Sequence, residues 1–386
     1  MLALKARIRR GARNILFTFL VFSAFLLALE MTLRATHLFG ASISPAQPCP
    51  LLGWRYSPRH TYWFFKENDH PITGRMNRYG WRDKEWSEDP GDGYRVAVLG
   101  DSYVEAVQVE PERTFEALTE QRLREAHNGK VELMNFGRSA ATQTEELLIL
   151  RDALGRFSPA MVILCFNPRN DIRDVARTTA PSTGRPFFNV AGDGTLVLDV
   201  SFRHTRRYRL RVAINRLRQH SALVSLLCER YSAFRATRAR RTSASPDEMP
   251  AYLSLCTNDP NQTYWHNYQL CKTLVKAMAE YCRENGIEFM IVCLDTEAYL
   301  PDCEKRLRAI DATFNAFFFE DDLRDYAASL GVEYLGLQRV FRESYLSNRV
   351  PLHWGHWNYD GHRVVADALA NKLWSFVENH AGKGNK

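Results

Sequence analysis

The chain has 386 residues, enough for one large domain with appendages or for two domains. Its 45 % hydrophobic and 25 % charged residues are the composition of a folded globular protein and exclude a disordered chain. The net charge of +7 is concentrated: residues 1–13 carry +5 and residues 203–241 carry +11, leaving −9 for the rest, and with no zinc-finger, homeodomain or RNA-binding signature beside the basic stretches, nucleic acid is not an expected partner.

The first element is apolar. Ile15 to Leu33 is nineteen residues long with a single charge, Glu30, near its end. About 20 residues of helix cross the hydrocarbon core of a bilayer. The preceding Lys5, Arg7, Arg9, Arg10 and Arg13 orient such a helix with its N-terminus in the cytoplasm and residues 35–386 outside. The expected organisation is a basic cytoplasmic tail (1–13), a transmembrane anchor (14–34), a lead-in (35–90) and a large domain (91–386). A cleaved signal peptide competes, but its apolar region is shorter and ends at small residues. Here Glu30, Met31 and Arg34 come after a longer run, which favours an uncleaved single-pass anchor in the cytoplasmic membrane. A buried helix of a soluble core is the third reading.

Residues 41–70, rich in Pro and aromatics, read as an extended lead-in. Five short apolar runs read as strands: Tyr94–Leu99, Val131–Phe136, Met161–Phe166, Ile287–Leu294 and Val332–Leu337. Helical spacing falls between them at Thr114–Ala126, Glu145–Phe157, Tyr268–Asn285 and Ala312–Leu330, and again at Tyr359–Val377. Strands alternating with helices imply an α/β fold with a parallel sheet covered on both faces, a three-layer α/β/α sandwich. In such folds the site lies at the carboxyl ends of the strands, where Ser102, Gly137 and Asn170 fall.

Residues 176–260 interrupt the alternation and read as an insertion beside or over the site. Phe187–Val200 resembles a hairpin turning at Asp193-Gly194. Tyr208–Ala236 reads as one or two basic amphipathic helices with Leu210, Ile214, Leu217, Val224 and Leu227 on the apolar side, and Thr242–Pro246 as a linker. The Arg-rich stretch 203–241 is either a solvated helical face or an attachment site for anionic lipid or an anionic polymer.

Eight cysteines are scattered with no C-x-x-C pair, so neither a zinc site nor any other cofactor is expected. Cys165 and Cys293 lie in apolar runs and read as buried thiols. Cys256, Cys271, Cys282 and Cys303 are available for disulfides in an oxidising compartment.

Chemistry is expected at Gly100-Asp101-Ser102, where an apolar strand runs into a helix and presents a serine at the turn. A hydroxyl needs a base to become a nucleophile. The best supply of imidazole is His353-Trp354-Gly355-His356-Trp357-Asn358-Tyr359-Asp360-Gly361-His362, just before the last helix.

These stretches resemble the blocks of the SGNH (GDSL-type) hydrolase superfamily, in order. Val98-Leu99-Gly100-Asp101-Ser102 is similar to the first block, Asn135-Phe136-Gly137 to the second, Asn170-Asp171 to the third, and His356-Trp357-Asn358 with Gly361-His362 to the fifth. Asn77-Arg78-Tyr79-Gly80-Trp81-Arg82 is similar to the lead-in of membrane-anchored bacterial members. The resemblance covers roughly residues 75–175 and 287–375. It implies a flavodoxin-like sandwich with Ser102 as nucleophile, His356 as base, His362 as a structural partner, and Gly137 N–H and the Asn170 side chain as oxyanion donors.

The family's third triad member is an Asp two or three residues before the histidine. Those positions here are Trp354 and His353, so His353 is the local candidate, as a weaker neutral partner. The alternative register pairs Asp360 with His362. The function implied is ester hydrolysis on an acylated carbohydrate or envelope polymer outside the cytoplasmic membrane. Acyl transfer to such a polymer by the same residues, and a non-catalytic binding or assembly protein, are the alternatives.

Overall fold

Every strand of the central sheet is parallel to its neighbours, and the sheet separates two hydrophobic layers. The computed structural model describes residues 2–40, 46–89, 91, 93–126, 131–243 and 248–383. The chain begins with helix α1 (Leu2–Thr36). The lead-in forms two antiparallel hairpins, β1 (Ala46–Cys49) with β2 (Gly53–Tyr56), and β3 (Thr61–Phe64) with β4 (Ile72–Arg75). Then come β5 (Tyr94–Gly100), α2 (Ser102–Glu105), α3 (Phe115–Ala126), β6 (Val131–Gly137), α4 (Gln143–Phe157), β7 (Met161–Phe166) and α5 (Pro168–Asp174). The insertion holds β8 (Phe187–Val190), β9 (Leu196–Asp199), α6 (Arg206–Arg218) and α7 (Ala222–Ser243). The domain closes with α8 (Gln262–Glu284), β10 (Glu288–Cys293), α9 (Pro301–Ile310), α10 (Phe318–Leu330), β11 (Glu333–Gly336), α11 (Gln338–Asn348) and α12 (Tyr359–Lys383).

The sheet order is β11-β10-β7-β5-β6. Counted in chain order from the other edge this is 2-1-3-4-5, whose topological switch lies between β5 and β7. Alternate residues of each strand face opposite layers. Ala97, Leu99, Val162 and Leu164 pack with α4, α8 and α10. Val96, Val98, Ile163 and Cys165 pack with α3, α11 and α12. This two-sided burial explains the near-continuous apolar strands in the sequence.

Three expectations change at this level. The basic stretch, expected as one or two helices, is two, broken at residues 219–221, and α7 runs through Ser243 into the expected linker, whose residues 244–246 lie outside the described residues. The stretch 312–330 is helical only from Phe318, with the separate α9 before it. All eight cysteines are free thiols rather than disulfides. Burial pushes the Cys256, Cys271 and Cys282 thiols up, as for inert core residues.

Helix α1 is long and apolar enough over Arg9–Thr36 to cross a membrane. Its large side chains, among them Ile15, Phe17 and Phe25, are exposed, so it is not a core helix of the domain.

The motif at 77–82 has a mechanical role. Asn77 Oδ1 accepts from Tyr79 N and Trp81 N, both at 3.0 Å, and Gly80 supplies the turn at φ +89°. The turn delivers Arg82, 3 % exposed, to the carbonyls of Glu105 and Val109 and to the Tyr62 hydroxyl. One buried guanidinium thus ties the lead-in to the end of the short helix that starts at Ser102.

Candidate active site

The turn after β5 places Ser102 at the first position of α2. Asp101 caps that helix, its carboxylate accepting from Tyr103 N at 2.9 Å. The other carboxylate oxygen accepts from Asn167 Nδ2 at 2.9 Å and Asn170 Nδ2 at 2.6 Å. Asp101 therefore couples the end of β5 to the start of α5, across the switch point. Burial raises its pKa, with the three donors and His356 opposing the rise.

Ser102 Oγ lies 2.8 Å from His356 Nε2. On the far side of the ring, His356 Nδ1 lies 3.0 Å from both oxygens of Glu67. The same carboxylate accepts from His356 N at 2.8 Å and Gly355 N at 3.2 Å. Glu67 therefore fixes both the imidazole and the loop that carries it. With Nδ1–H donated to a carboxylate, Nε2 is left as the acceptor for the Ser102 hydroxyl.

Glu67 sits in the β3–β4 connection at φ +68°, a left-handed conformation that costs a non-glycine residue about 1–2 kcal/mol. Its neighbour Asn68 anchors the connection, donating from Nδ2 to Tyr359 OH at 2.9 Å and to Gln108 O at 3.2 Å. Burial disfavours the charge on both members of the pair, yet each is held in its charged form by the other. The Glu67 pKa is lowered by the His356 ring and the two backbone N–H groups, and the His356 pKa is raised, chiefly by Glu67.

His353 is elsewhere. Its Nε2 lies 3.3 Å from Asp295 Oδ2 and its Nδ1 3.4 Å from Tyr299 OH, so it does not occupy the third-member position next to His356. Burial drives its pKa down to about 3, which keeps it neutral. Asp295, buried and accepting from Trp357 Nε1 at 2.9 Å, is pushed up to about 8. The pair supports Trp357, which is fully buried beneath the loop. The alternative register also fails: Asp360 faces outward to Arg363, whereas His362 is buried, accepts from Phe115 N at 3.1 Å and has its pKa pushed down to about 3.

The expected oxyanion donors separate. Asn170 stands beside the nucleophile turn; one N–H goes to Asp101, and an amide nitrogen carries a second. Gly137 is corrected. Its N–H is spent on Asn135 Oδ1 at 2.8 Å, and it is a glycine because a Cβ there would meet the backbone of Val104 and Glu105. Beyond β6 the chain makes a tight turn closed by Ala141 N to Arg138 O at 2.8 Å, with Ala140 at φ +59°. It is pinned to the nucleophile turn by Arg138 N to Gly100 O at 3.1 Å and Ser139 N to Glu105 Oε2 at 2.9 Å. Among the described residues, the N–H groups of Ser102 and Ala140 have no protein acceptor.

A cavity of about 160 Å³ is lined by Tyr103 and Gly355, the chain neighbours of Ser102 and His356, with Asn167, Arg169, Glu297 and Leu300 among its other walls. Among the described residues no group of three His, Cys, Asp or Glu is placed to hold a metal ion.

Neither a family model nor a curated relative matches this chain. Among solved structures it is similar to the psychrotrophic esterase EstA from Pseudoalteromonas sp. (11 % identity, 74 % of this chain and 99 % of that one, TM-score 0.35). It is also similar to an alpha/beta hydrolase enzyme from the metagenome of Lake Arreo (14 %, 73 % and 96 %, 0.40) and to an acetylxylan esterase from Geobacillus stearothermophilus (13 %, 73 % and 95 %, 0.38). At these identities and scores the likeness carries no functional argument, and the chemistry rests on the geometry of the site.

That geometry has three parts: a hydroxyl at a strand-to-helix turn, an imidazole poised to take its proton, and a carboxylate poised to stabilise the resulting imidazolium. Sequence reasoning reaches the first two. It misses Glu67, because no spacing rule links a residue of an aromatic-rich hairpin to a loop near the other end of the chain. It also misses Asn167, whose side chain shares Asp101 with Asn170.

Proposed function

We propose that this protein is a serine esterase of the SGNH hydrolase type, anchored in the cytoplasmic membrane with its active site on the outer side. The carrying observation is the continuous chain Glu67–His356–Ser102. As a substrate ester binds, His356 Nε2 takes the Ser102 proton while Oγ bonds to the carbonyl carbon. Charge develops on the carbonyl oxygen, where Ser102 N–H, the second Asn170 N–H and Ala140 N–H are the available donors. The tetrahedral centre collapses, the C–O bond to the alcohol breaks, and His356 returns the proton to the departing oxygen. Water then repeats the sequence on the acyl-serine and releases the acid. Glu67 stays ionised throughout and stabilises the imidazolium.

A small acyl group on a large alcohol suits the cavity walled by Tyr103 and Gly355, so an acylated carbohydrate or envelope polymer is the proposed substrate class. Tyr103, Thr296, Tyr299 and Leu300 there offer an acetyl-sized group apolar contact and hydroxyl partners, and Arg169 and Glu297 in the same wall offer polar contacts to the alcohol part. A non-catalytic reading rests on the lack of a carboxylate behind His356, and Glu67 removes that ground. The full chain in detergent is expected to hydrolyse a small acetyl ester and to be labelled by a fluorophosphonate. Loss of both on Ser102→Ala supports the reading; hydrolysis unchanged by Ser102→Ala overturns it.

A further inference from the structure

The insertion helices are attached to α1 rather than to the catalytic sheet alone. The carboxylate of Glu30, in the last two turns of α1, accepts from Ser221 Oγ (2.8 Å), Ala222 N (2.8 Å) and Leu223 N (2.9 Å), and so caps the start of α7. Arg34 of α1 donates to His220 O. Leu33 and Ala222 are buried against each other, with Leu29, Leu223 and Leu226 packed around them. A charge near the end of an apolar helix is therefore a built joint. It holds the α6–α7 corner beside the end of α1 that leads into the catalytic domain.

From that corner both helices present exposed apolar side chains, three of which, Leu210, Ile214 and Tyr231, border an open cleft with Trp54 and Tyr56. Leu210, Ile214 and Leu217 on α6 repeat at i, i+4, i+7, as do Leu227, Tyr231 and Phe234 on α7; five of the six are 59–63 % exposed. Each trio forms one stripe of a helix. Around them stand the exposed arginines Arg206, Arg207, Arg209 and Arg216, and between residues 206 and 234 the only acid is Glu229. Solvent explains the arginines but not two apolar stripes. A basic helix with an apolar stripe fits a surface that is apolar beneath and anionic above.

We propose that α6 and α7 as far as Phe234 form an interfacial platform that rests on anionic lipid headgroups at the outer end of the anchor, with the two apolar stripes dipping into the acyl boundary. The inference rests on the reading of α1 as the membrane helix, and continuity with α1 is what selects a bilayer as occupant. The joint at Glu30 leaves the platform at the depth where α1 emerges. Its consequence is to fix the catalytic domain at the membrane surface instead of leaving it on a swinging tether.

The test uses the full chain in lipid vesicles, with a photoreactive benzophenone side chain placed at Leu217, Tyr231, Phe22 or Leu346. Phe22 lies within α1 and reports the anchor; Leu346 is exposed on α11, which packs on α12. The expected result is lipid adducts at 217 and 231 several-fold above those at 346. They should be several-fold stronger with phosphatidylglycerol than with phosphatidylcholine and reduced when Arg206→Gln, Arg207→Gln and Arg209→Gln are combined. Adducts at 22 with none above background at 217 and 231 overturn the platform and leave the anchor standing. Chain-to-chain adducts at 217 and 231 overturn it in favour of a second copy of this chain. Equal yields with the two lipids overturn the headgroup assignment, and no adducts at 22 overturn anchor and platform together.

Discussion

Glu67 and His356 are 289 residues apart in sequence, and the carboxylate of one lies 3.0 Å, through either oxygen, from the Nδ1 of the other. The base of this site is therefore oriented by a segment outside the α/β sandwich. The arrangement places a condition on the lead-in: the β3–β4 hairpin has to dock before the imidazole has a fixed tautomer. Arg82 and Asn68 supply that docking, one at the end of α2 and the other at the start of α12. In the proposed function the lead-in is thus part of the catalytic unit rather than a spacer between α1 and the domain.

Replacing the carboxylate separates orientation from charge. Glu67→Gln keeps the shape and a hydrogen-bond acceptor but removes the charge that stabilises the imidazolium. Glu67→Ala removes both and also releases Gly355 N and His356 N. Steady-state kinetics on an acetyl ester should show kcat falling by about 10²–10⁴ in both, with KM little changed, because Glu67 acts through the His356 ring and its loop. A variant within threefold of the parent kcat would show that Glu67 is only a loop clasp.

The pH dependence comes from the same pair. His356 has to be neutral to accept the Ser102 proton, and its pKa is raised by Glu67 against the opposing effect of burial. The acid limb of kcat/KM should therefore lie above about 6.5, the ordinary imidazole value. In Glu67→Gln the burial remains and the carboxylate is gone, so the limb should move to lower pH even as the plateau falls. Stability has the opposite sign. A raised His356 pKa contributes stability that is present at low pH and is lost as pH rises through the folded value. A lowered Glu67 pKa contributes stability that is lost as pH falls through its folded value. The pair is thus most stabilising between the two pKa values, on the acid side of the activity plateau. A kcat/KM limb at the same pH in parent and Glu67→Gln would contradict this account.

Much of the fold is legible in local pattern. The five strands are apolar on both faces, so they stand out without any knowledge of pairing, and Asp101-Ser102 and His356 are marked by the elements beside them. Tertiary placement is not legible in this way. Gly137 ends a strand and sits in a family-like block, which is why it reads as an oxyanion donor. Only the fold shows that its N–H is taken by Asn135 and that its missing Cβ makes room for α2. His353 reads as the partner of His356 because it is near in sequence, but the isolated β-bridge between His353 and Trp357 brings His353 to Asp295. Glu67 reads as one of many charged lead-in residues, since its role depends on a hairpin too short to show periodicity.

The two glycine and asparagine candidates should behave differently on substitution. Asn170→Ala removes a side-chain donor proposed for the oxyanion, and kcat should fall by about 10²–10³, with about 1–3 kcal/mol of stability lost because buried Asp101 keeps only Asn167 as its amide partner. Gly137→Ala leaves its N–H in place but drives a methyl group into the backbone of Val104 and Glu105. Its expected effect is a loss of roughly 1–3 kcal/mol in stability, read by thermal unfolding, with activity falling because the Ser102 turn is displaced. A Gly137→Ala protein with unchanged melting temperature would mean that the turn has slack that the packing does not show.

The joint between α1 and α7 makes a prediction that is independent of any lipid. Three donors at the start of α7 converge on Glu30, and two of them are backbone N–H groups with no partner inside their own helix. Glu30→Ala leaves them to solvent and also frees Arg34, whose partners are Glu30 and His220 O. Loss of a capping acceptor costs a helix about 0.5–2 kcal/mol. Hydrogen exchange on the full chain in detergent should then show faster exchange over residues 221–226, by about tenfold, with exchange in β5 and β7 unchanged. Esterase activity in detergent should also stay at the parental level, because the joint touches neither Glu67 nor the Ser102 turn. Exchange that speeds equally in the sheet would mean that α7 is integral to the α/β core, and that Glu30 stabilises the whole domain rather than its attachment to α1.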